Sequence, residues 1–206
     1  YLAFDRIQGG EFVLKEYFPQ QTAERLDDGR LQAISPELEA DFNQGLQQFL
    51  SEGRILAGLQ HPNIIAVNHC FEARGTAWLQ MPYYPGKTLA ERLQGNNSFD
   101  AGQIKSLLPL LDALKYLHQH SVIHQDIKPA NIYITDSGVP LLLDFGAALH
   151  ALDSHSGNMG TPGYSSLEQE LNSGAIGPWT DIYGLSASLY RVITGQIPAA
   201  ASERLQ

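Results

Sequence analysis

Apolar and polar positions alternate through the first part of the chain in the manner of β-strands. Residues 1–4 and 11–17 flank a Gly9-Gly10 turn and predict a β-hairpin. Two more strands are predicted near 64–72 and 76–81. Prolines and a glycine follow directly after the last of these strands, so we expect the strand-rich part of the chain to end there.

Helical spacing dominates the rest of the pattern. Apolar residues recur every three or four positions from about 37 to 59, which predicts a long helix. The polar segment 19–37 contains prolines and a glycine and predicts a loop. A second long helix is predicted over 101–119, bent by Pro109, and a last apolar helix is predicted to be capped by Thr180-Asp181.

One carboxylate and one lysine occupy unusual positions in this pattern. Glu52 lies on the apolar stripe of the first helix, three residues after Phe49 and four before Leu56. Burying a lone carboxylate costs several kcal/mol, so it needs a cation or hydrogen-bond donors. Lys15 shares a strand face with Val13 and is the nearest candidate. A Lys15–Glu52 pair is therefore predicted, although a surface lysine and an acid at the edge of the stripe fit the pattern as well.

The segment 122–131 reads Val-Ile-His-Gln-Asp-Ile-Lys-Pro-Ala-Asn. Its spacing, His-x-Asp-x-Lys-x-x-Asn, suits a phosphoryl-transfer loop, in which Asp126 accepts a hydroxyl proton and Lys128 faces the transferring group. Asn131 would hold a metal ion. A polar loop between a helix and a hairpin is the alternative. A hairpin predicted over 132–143 leads directly to Asp144-Phe145-Gly146.

Composition excludes several classes of function. The chain has 206 residues and a net charge of −9, which argues against a nucleic-acid-binding surface. Cys70 is its only cysteine, so no internal disulfide is possible. No apolar run approaches the roughly 20 residues of a membrane span, and no signal peptide opens the chain. We expect a cytoplasmic protein.

Taken together, these motifs resemble those of protein kinases, specifically the bacterial, eukaryotic-like Ser/Thr group. The resemblance implies an α+β, two-lobed fold, with a sheet-and-helix N-lobe over 1–82 and a mainly helical C-lobe over 83–206, incomplete at both ends. The matching segments are Phe12-Val13-Leu14-Lys15, Glu52, His124 to Asn131, Asp144-Phe145-Gly146, Gly160 to Tyr164 with Ser166-Leu167-Glu168, and Asp181 to Leu185.

The resemblance implies ATP- and Mg²⁺-dependent transfer of the γ-phosphoryl group to Ser/Thr hydroxyls of protein substrates. Lys15 would contact the ATP phosphates and be held by Glu52. Asp126 would receive the hydroxyl proton, and Lys128 would neutralise charge on the phosphoryl group. The implied Mg²⁺ ligands are Asn131 and Asp144.

The resemblance also implies an adenine site. Met81 falls at the gatekeeper position, and the backbone at Pro82 and Tyr84 would pair with adenine. Proline fits there because only its carbonyl is needed. Val13 and Tyr133 would line the two faces of the slot, although ordinary strand packing explains both residues equally well.

Three features depart from the family pattern. No Gly-x-Gly-x-x-Gly loop is present, so we expect a longer natural protein with further domains. Gln125 replaces the arginine that normally pairs with an activation-loop phosphate, which predicts a non-RD kinase. Ser166-Leu167-Glu168 replaces Ala-Pro-Glu, and Glu168 is expected to lack its arginine partner. Thr161 is still expected to bridge the catalytic acid and lysine, and His124 to pack rather than to exchange protons.

Two alternatives stay open. A pseudokinase acting as a scaffold or nucleotide-binding regulatory module would bind Mg·ATP without transferring phosphate. A small-molecule kinase of the aminoglycoside-phosphotransferase type also carries a His-x-Asp…Asn loop. Lys128, the Asp144-Phe145-Gly146 triplet and the segment 160–164 argue against that second alternative.

Overall fold

A computed structural model describes residues 1–6, 9–95, 99–145, 149–150, 160–171 and 176–205. The chain forms two compact units, described separately here. The first comprises Tyr1–Gln60 and Ile65–Tyr83, and the second comprises His61–Ile64 and Tyr84–Gln206. None of the helices in these described ranges combines the length and apolarity that a bilayer span requires.

The first unit is an antiparallel sheet with one long helix. Its elements are β1 (Leu2–Phe4), β2 (Glu11–Glu16), β3 (Ala23–Arg25), β4 (Leu31–Ala33), α1 (Glu39–Ala57), β5 (His69–Ala73) and β6 (Thr76–Pro82). The four-stranded sheet has the order β1-β2-β6-β5, and a separate hairpin, β3-β4, accompanies it. The first predicted hairpin is confirmed, because β1 and β2 pair in antiparallel register.

Helix α1 forms where the apolar spacing predicts it. Phe42, Leu46, Phe49 and Leu56 are buried along one stripe, as expected for an amphipathic helix packed on a sheet. Glu52 is buried on the same stripe. The helix therefore carries an acidic group into the interior of the first unit.

The prediction of a loop over 19–37 is wrong in part. This segment contains the β3-β4 hairpin, which turns at Gly29 with a φ of +81°. Leu31 anchors it by donating its backbone N–H to the carbonyl of Arg74 at 2.8 Å. Strands of three residues are too short to show alternation, and the Asp28-Gly29 dipeptide was the available turn signal.

The strand predicted near 64–72 begins later, at His69. Of the residues before it, Ile64 belongs to the second unit, as does the neighbouring Asn63. Asn63 donates from its side chain to the Pro140 carbonyl at 2.8 Å, and Ile64 forms an isolated bridge with Leu142. Ile64 is buried, and the periodicity of a short apolar run does not distinguish such a buried segment from a paired strand.

The second unit is mainly helical. Its elements are β7 (Gly86–Thr88), α2 (Leu89–Gly95), α3 (Ala101–Lys105), α4 (Pro109–Gln119), β8 (Val122–Ile123), β9 (Ile132–Thr135), β10 (Pro140–Leu142), β11 (Leu149–His150), α5 (Leu167–Glu170) and α6 (Pro178–Thr194). The small sheets have the orders β10-β9-β7 and β11-β8. The hairpin predicted over 132–143 is confirmed, because β9 and β10 pair in antiparallel register.

Two helix boundaries differ from the prediction. The helix predicted over 101–119 is divided into α3 and α4, because Pro109 begins a new helix rather than bending one. Asp100 caps α3 as predicted, in a capping box with Gln103. Helix α6 begins at Pro178 with Gly177 as its cap, so Thr180-Asp181 lies inside the helix rather than before it.

Gly53 allows α1 to lie close to the sheet. A Cβ atom added there would approach Cys70 Sγ to 2.7 Å and would also clash with Leu79. We expect Gly53→Ala to lower the free energy of unfolding by about 1–2 kcal/mol, because overpacking outweighs alanine's better helix propensity. Chemical denaturation measures this change. Gly58→Ala is the control, because its Cβ would meet only ordinary contacts. Equal effects of the two substitutions would contradict the packing account.

Candidate active site

In the first unit, the structure brings Lys15 and Glu52 together. Lys15 Nζ lies 3.0 Å from Glu52 Oε1, with the two side chains 34% and 6% exposed. The Phe49 ring lies 5.6 Å from the same ammonium group. Strand β2 presents the lysine and the buried stripe of α1 presents the carboxylate. The pair predicted from two separate sequence anomalies is therefore formed.

The same strand face carries two of the residues assigned to adenine. Val13 lies opposite Met81 in the β2–β6 register, two positions from Lys15, which lies opposite Leu79. Because alternate residues of a strand share a face, Val13, Lys15 and Met81 point to one side of the sheet. Pro82 is the last residue of β6 and pairs with Phe12.

In the second unit, a buried carboxylate fixes the backbone before Asp126. Asp181 Oδ2 accepts from the backbone N–H of His124 at 3.0 Å, and Oδ1 accepts from that of Gln125 at 2.8 Å. His118 Nε2 lies 2.8 Å from the same Oδ2. Gln125 has a φ of +65°, a conformation that non-glycine residues rarely adopt. The hydrogen bonds of Asp181 hold the chain in this strained turn.

Asp126, Lys128 and Thr161 form a compact polar cluster. Lys128 Nζ lies 2.8 Å from Asp126 Oδ2 and donates to Thr161 Oγ1 at 2.9 Å. Thr161 Oγ1 donates to Asp126 Oδ1 at 3.4 Å. Asp126 and Lys128 side chains are each 24% exposed, so both reach solvent. The cluster offers a proton-accepting oxygen beside a fixed positive charge.

Two hydrogen bonds to Asp126 fix the orientation of the Asn131 side chain. Its amide nitrogen donates to the Asp126 carbonyl at 2.8 Å and to Asp126 Oδ2 at 2.9 Å, so the amide oxygen is the atom that could bind a cation. The Asn131 carbonyl accepts from Leu143 N at 2.9 Å, which places Asp144 one residue beyond this contact. An amide oxygen and a carboxylate are oxygen donors of the kind that Mg²⁺ takes.

The described residues contain no group of three or more His, Cys, Asp or Glu side chains able to hold a metal. The oxygen donors of Asn131 and Asp144 would therefore need phosphate or water oxygens to complete a coordination shell. Asp144 is exposed and has a φ of +55°. Gly146, the third residue of the predicted triplet, lies outside the described residues.

His124 packs, as predicted. It is fully buried, and its ring centroid lies 4.5 Å from that of Phe145. Its Nε2 lies 3.0 Å from the carbonyl of Leu143. The histidine thus joins the catalytic segment to the segment that carries Asp144.

Tyr133 and Tyr84 are joined by a hydrogen bond. The Tyr133 hydroxyl donates to the Tyr84 carbonyl at 2.9 Å. Tyr133 lies in β9, immediately after the turn that contains Asn131. These two residues of the predicted adenine site are therefore connected within the second unit.

Short helix α5 carries two further polar contacts. The Glu168 carboxylate accepts from Thr180 Oγ1 at 2.7 Å. Burial raises the pKa of Glu168, but hydrogen bonds from Thr180, its own backbone and Ser166 outweigh this effect and leave the pKa below its usual value. Gln169 Nε2 donates to the Gln125 carbonyl at 2.7 Å. Helix α5 is thereby tied both to α6 and to the loop that contains Asp126.

A model of the protein kinase domain matches residues 28–206. The chain belongs to the protein kinase family. Serine/threonine-protein kinase PknJ of Mycobacterium tuberculosis is 33% identical over 180 residues, covering 83% of this kinase chain and 30% of PknJ. Serine/threonine-protein kinase PrkC of Bacillus subtilis is 32% identical over 165 residues, covering 77% of this chain and 25% of PrkC. The kinase chain thus spans about a third or less of these relatives.

A solved structure named "PpkA-294 apo form" has the same fold. It superposes with a TM-score of 0.88 at 33% sequence identity, covering all of this kinase chain and 74% of the solved one. The predicted two-lobed kinase fold and the resemblance to bacterial Ser/Thr kinases are both confirmed.

Two contacts of this kinase were missed from the sequence. Gln169 contacts the catalytic loop, and His118 contacts Asp181. The spacing Ser166-x-x-Gln169 is a capping-box signal that could have drawn attention to the glutamine. No sequence signal pairs His118 with a residue 63 positions later.

The Lys15–Glu52 pair should show energetic coupling. We expect Lys15→Met to lower the free energy of unfolding by about 1–3 kcal/mol, because Glu52 stays buried after losing this cation. The loss should fall below that for a fully buried pair, because Lys15 is 34% exposed. The double variant Lys15→Met/Glu52→Leu should recover most of it, as measured by denaturation. The exposed Lys87→Met is the control, and additive single effects at Lys15 and Glu52 would contradict a pair.

Proposed function

We propose that this chain is the kinase domain of an ATP- and Mg²⁺-dependent serine/threonine protein kinase. The cluster of Asp126, Lys128 and Thr161 carries the proposal, because it sets a proton acceptor 2.8 Å from a cation. Membership of the family and the serine/threonine-kinase relatives support the reaction class. In this proposal 1–82 is the N-lobe and 83–206 is the C-lobe.

Each of the three residues in this cluster has a defined task in the proposal. Asp126 orients a substrate hydroxyl and accepts its proton. Lys128 neutralises charge that spreads over the oxygens of the transferring group, while Thr161 holds its ammonium in place. Such a transfer demands positioning and charge neutralisation rather than covalent chemistry from the protein. The fixed backbone before Asp126 supplies that positioning.

The proposal also assigns residues to the nucleotide and the metal. ATP would supply the phosphoryl group, and Mg²⁺ would balance its charge. Asn131 and Asp144 would hold the metal, and Lys15, fixed by Glu52, would bind the α- and β-phosphates. The adenine-binding residues proposed are Val13, Met81, Pro82, Tyr84 and Tyr133.

Phosphate incorporation into a protein acceptor tests the proposed reaction. Asp126→Asn should lower kcat by about 10²–10⁴-fold, because it removes a positioned general base. Radiolabelled Mg·ATP with a Ser/Thr-containing protein acceptor, followed by phosphoamino-acid analysis, measures the transfer. The matched control is Asp112→Asn on the exposed face of α4.

The same assay separates the alternatives. Saturable Mg·ATP binding without transfer by the wild-type protein would favour a pseudokinase. Transfer to sugars or aminoglycosides but to no protein would favour a small-molecule kinase. Full activity of Asp126→Asn would contradict the assigned base.

We also propose that the kinase is of the non-RD type. The Gln125 side chain carries no charge, lies in a residue only 6% exposed, and has an amide nitrogen without a hydrogen-bond partner among the described residues. These features support a position that does not clamp a phosphate.

Phosphatase treatment should therefore leave the activity of the purified protein unchanged, as measured with the same radiolabel assay. Loss of activity on dephosphorylation, restored by rephosphorylation, would contradict the non-RD proposal.

The Gln125→Met variant should have a free energy of unfolding equal to or higher than that of the wild type, because a buried unpaired amide costs about 1–3 kcal/mol. Chemical denaturation measures this difference.

A further inference from the structure

We propose that Gln169 is a positioning residue for phosphoryl transfer, which holds the peptide bond between Gln125 and Asp126 in its working orientation without any phosphate. This inference rests on the proposed function and deepens it. It assigns to a neutral side chain on α5 the task of connecting this helix to the catalytic loop.

The geometry fixes the amide of Gln169 in one orientation. Its Oε1 accepts from the Ser166 backbone N–H at 3.1 Å and from the Ser166 hydroxyl at 3.2 Å. Because an amide group has one oxygen and one nitrogen, the nitrogen must then face the other way. It donates to the Gln125 carbonyl at 2.7 Å, and the residue is 7% exposed. The whole contact is shielded from water.

The Gln125 carbonyl is an effective point at which to hold the loop. It belongs to the peptide plane that ends at the Asp126 Cα, so its direction sets the position from which the Asp126 side chain projects. The N–H of that plane has only a 3.4 Å contact with His124 Nδ1. The preceding N–H, of Gln125, is held by Asp181. Gln169 therefore supplies the short contact at the Asp126 end of the turn.

The strained backbone makes this contact consequential. Gln125 has a φ of +65°, so the chain would relax toward a more common conformation if one of its anchors were removed. Relaxation would rotate the peptide plane and displace Asp126 relative to Lys128. The Asp181 anchor would remain, so the fold of the second unit should persist while the catalytic geometry changes.

Two substitutions at Gln169 test the proposal in the full-length protein. Gln169→Leu removes both polar atoms, and Gln169→Glu keeps the size and the acceptor for Ser166 but removes the donor. Each should lower kcat by about tenfold, the factor that corresponds to losing one ordinary hydrogen bond. KM for ATP should stay unchanged. If Gln169→Leu fails to fold, the nearly isosteric Gln169→Glu still provides the comparison.

A second capping box provides the matched control. Gln103 accepts from the Asp100 backbone N–H at 2.9 Å, as Gln169 does from that of Ser166. Gln103, however, is exposed on α3, and its hydrogen bonds join it to Asp100 and Ser106. Gln103→Leu therefore repeats the loss of the capping acceptor, and Gln103→Glu repeats the change of charge. They should leave kcat unchanged.

The pH profile adds a readout that a purely structural role would not move. The variant Gln169→Glu carries a carboxyl group at a buried position, and burial should raise the pKa of that group. Its protonated form can donate to the Gln125 carbonyl, whereas its ionised form cannot. The kcat ratio of Gln169→Glu to wild type should therefore rise as pH falls. The ratio of Gln169→Leu to wild type should stay flat.

Hydrogen exchange gives a readout independent of activity. Amide exchange over 124–131 should accelerate in Gln169→Leu and not in Gln103→Leu. If the wild type transfers phosphate but kcat and exchange are unaffected by both Gln169 substitutions, the positioning proposal is overturned. If the wild type transfers no phosphate while exchange still responds to Gln169→Leu, the proposed function fails and the anchoring contact stands.

Discussion

The active site depends first on the buried carboxylate of Asp181. A carboxylate taken out of water must be compensated by hydrogen-bond donors, and here the donors include the backbone N–H groups of His124 and Gln125. If the catalytic loop left this position, the buried carboxylate would lose two of its hydrogen-bond donors. The need of the Asp181 carboxylate for donors thus fixes the backbone of His124 and Gln125, and with it the position of Asp126.

The same principle recurs in the first unit with a different outcome. Glu52 is buried on α1, and Lys15 compensates it from β2 at 3.0 Å. In the second unit the buried acid binds backbone amides and thereby fixes a loop. In the first unit the buried acid binds an ammonium group and thereby fixes a lysine side chain. Each buried acid therefore orders a group to which the proposed function assigns binding or chemistry, and neither acid has to touch a substrate.

Sequence reasoning was most successful where a local pattern had a single physical cause. The anomaly of Glu52 on an apolar stripe predicted its ion pair. The family resemblance implied that Thr161 bridges Asp126 and Lys128, and both hydrogen bonds are present. Sequence reasoning was least successful where the paired strands were short or where the contacting residues were far apart in sequence. The β3-β4 hairpin has strands too short for periodicity, and Gln169 meets Gln125 across 44 residues of sequence.

The long separation between Asp181 and the loop that it anchors has a consequence for biosynthesis. Gln125 is made 56 residues before its carboxylate partner. At about 5–20 residues per second, the loop would wait roughly 3–11 s for that partner to be added. During this interval the nascent chain holds all the residues of the catalytic loop but lacks the group that imposes their arrangement. The arrangement of the loop is therefore completed only after Asp181 has been added, well after the loop residues themselves.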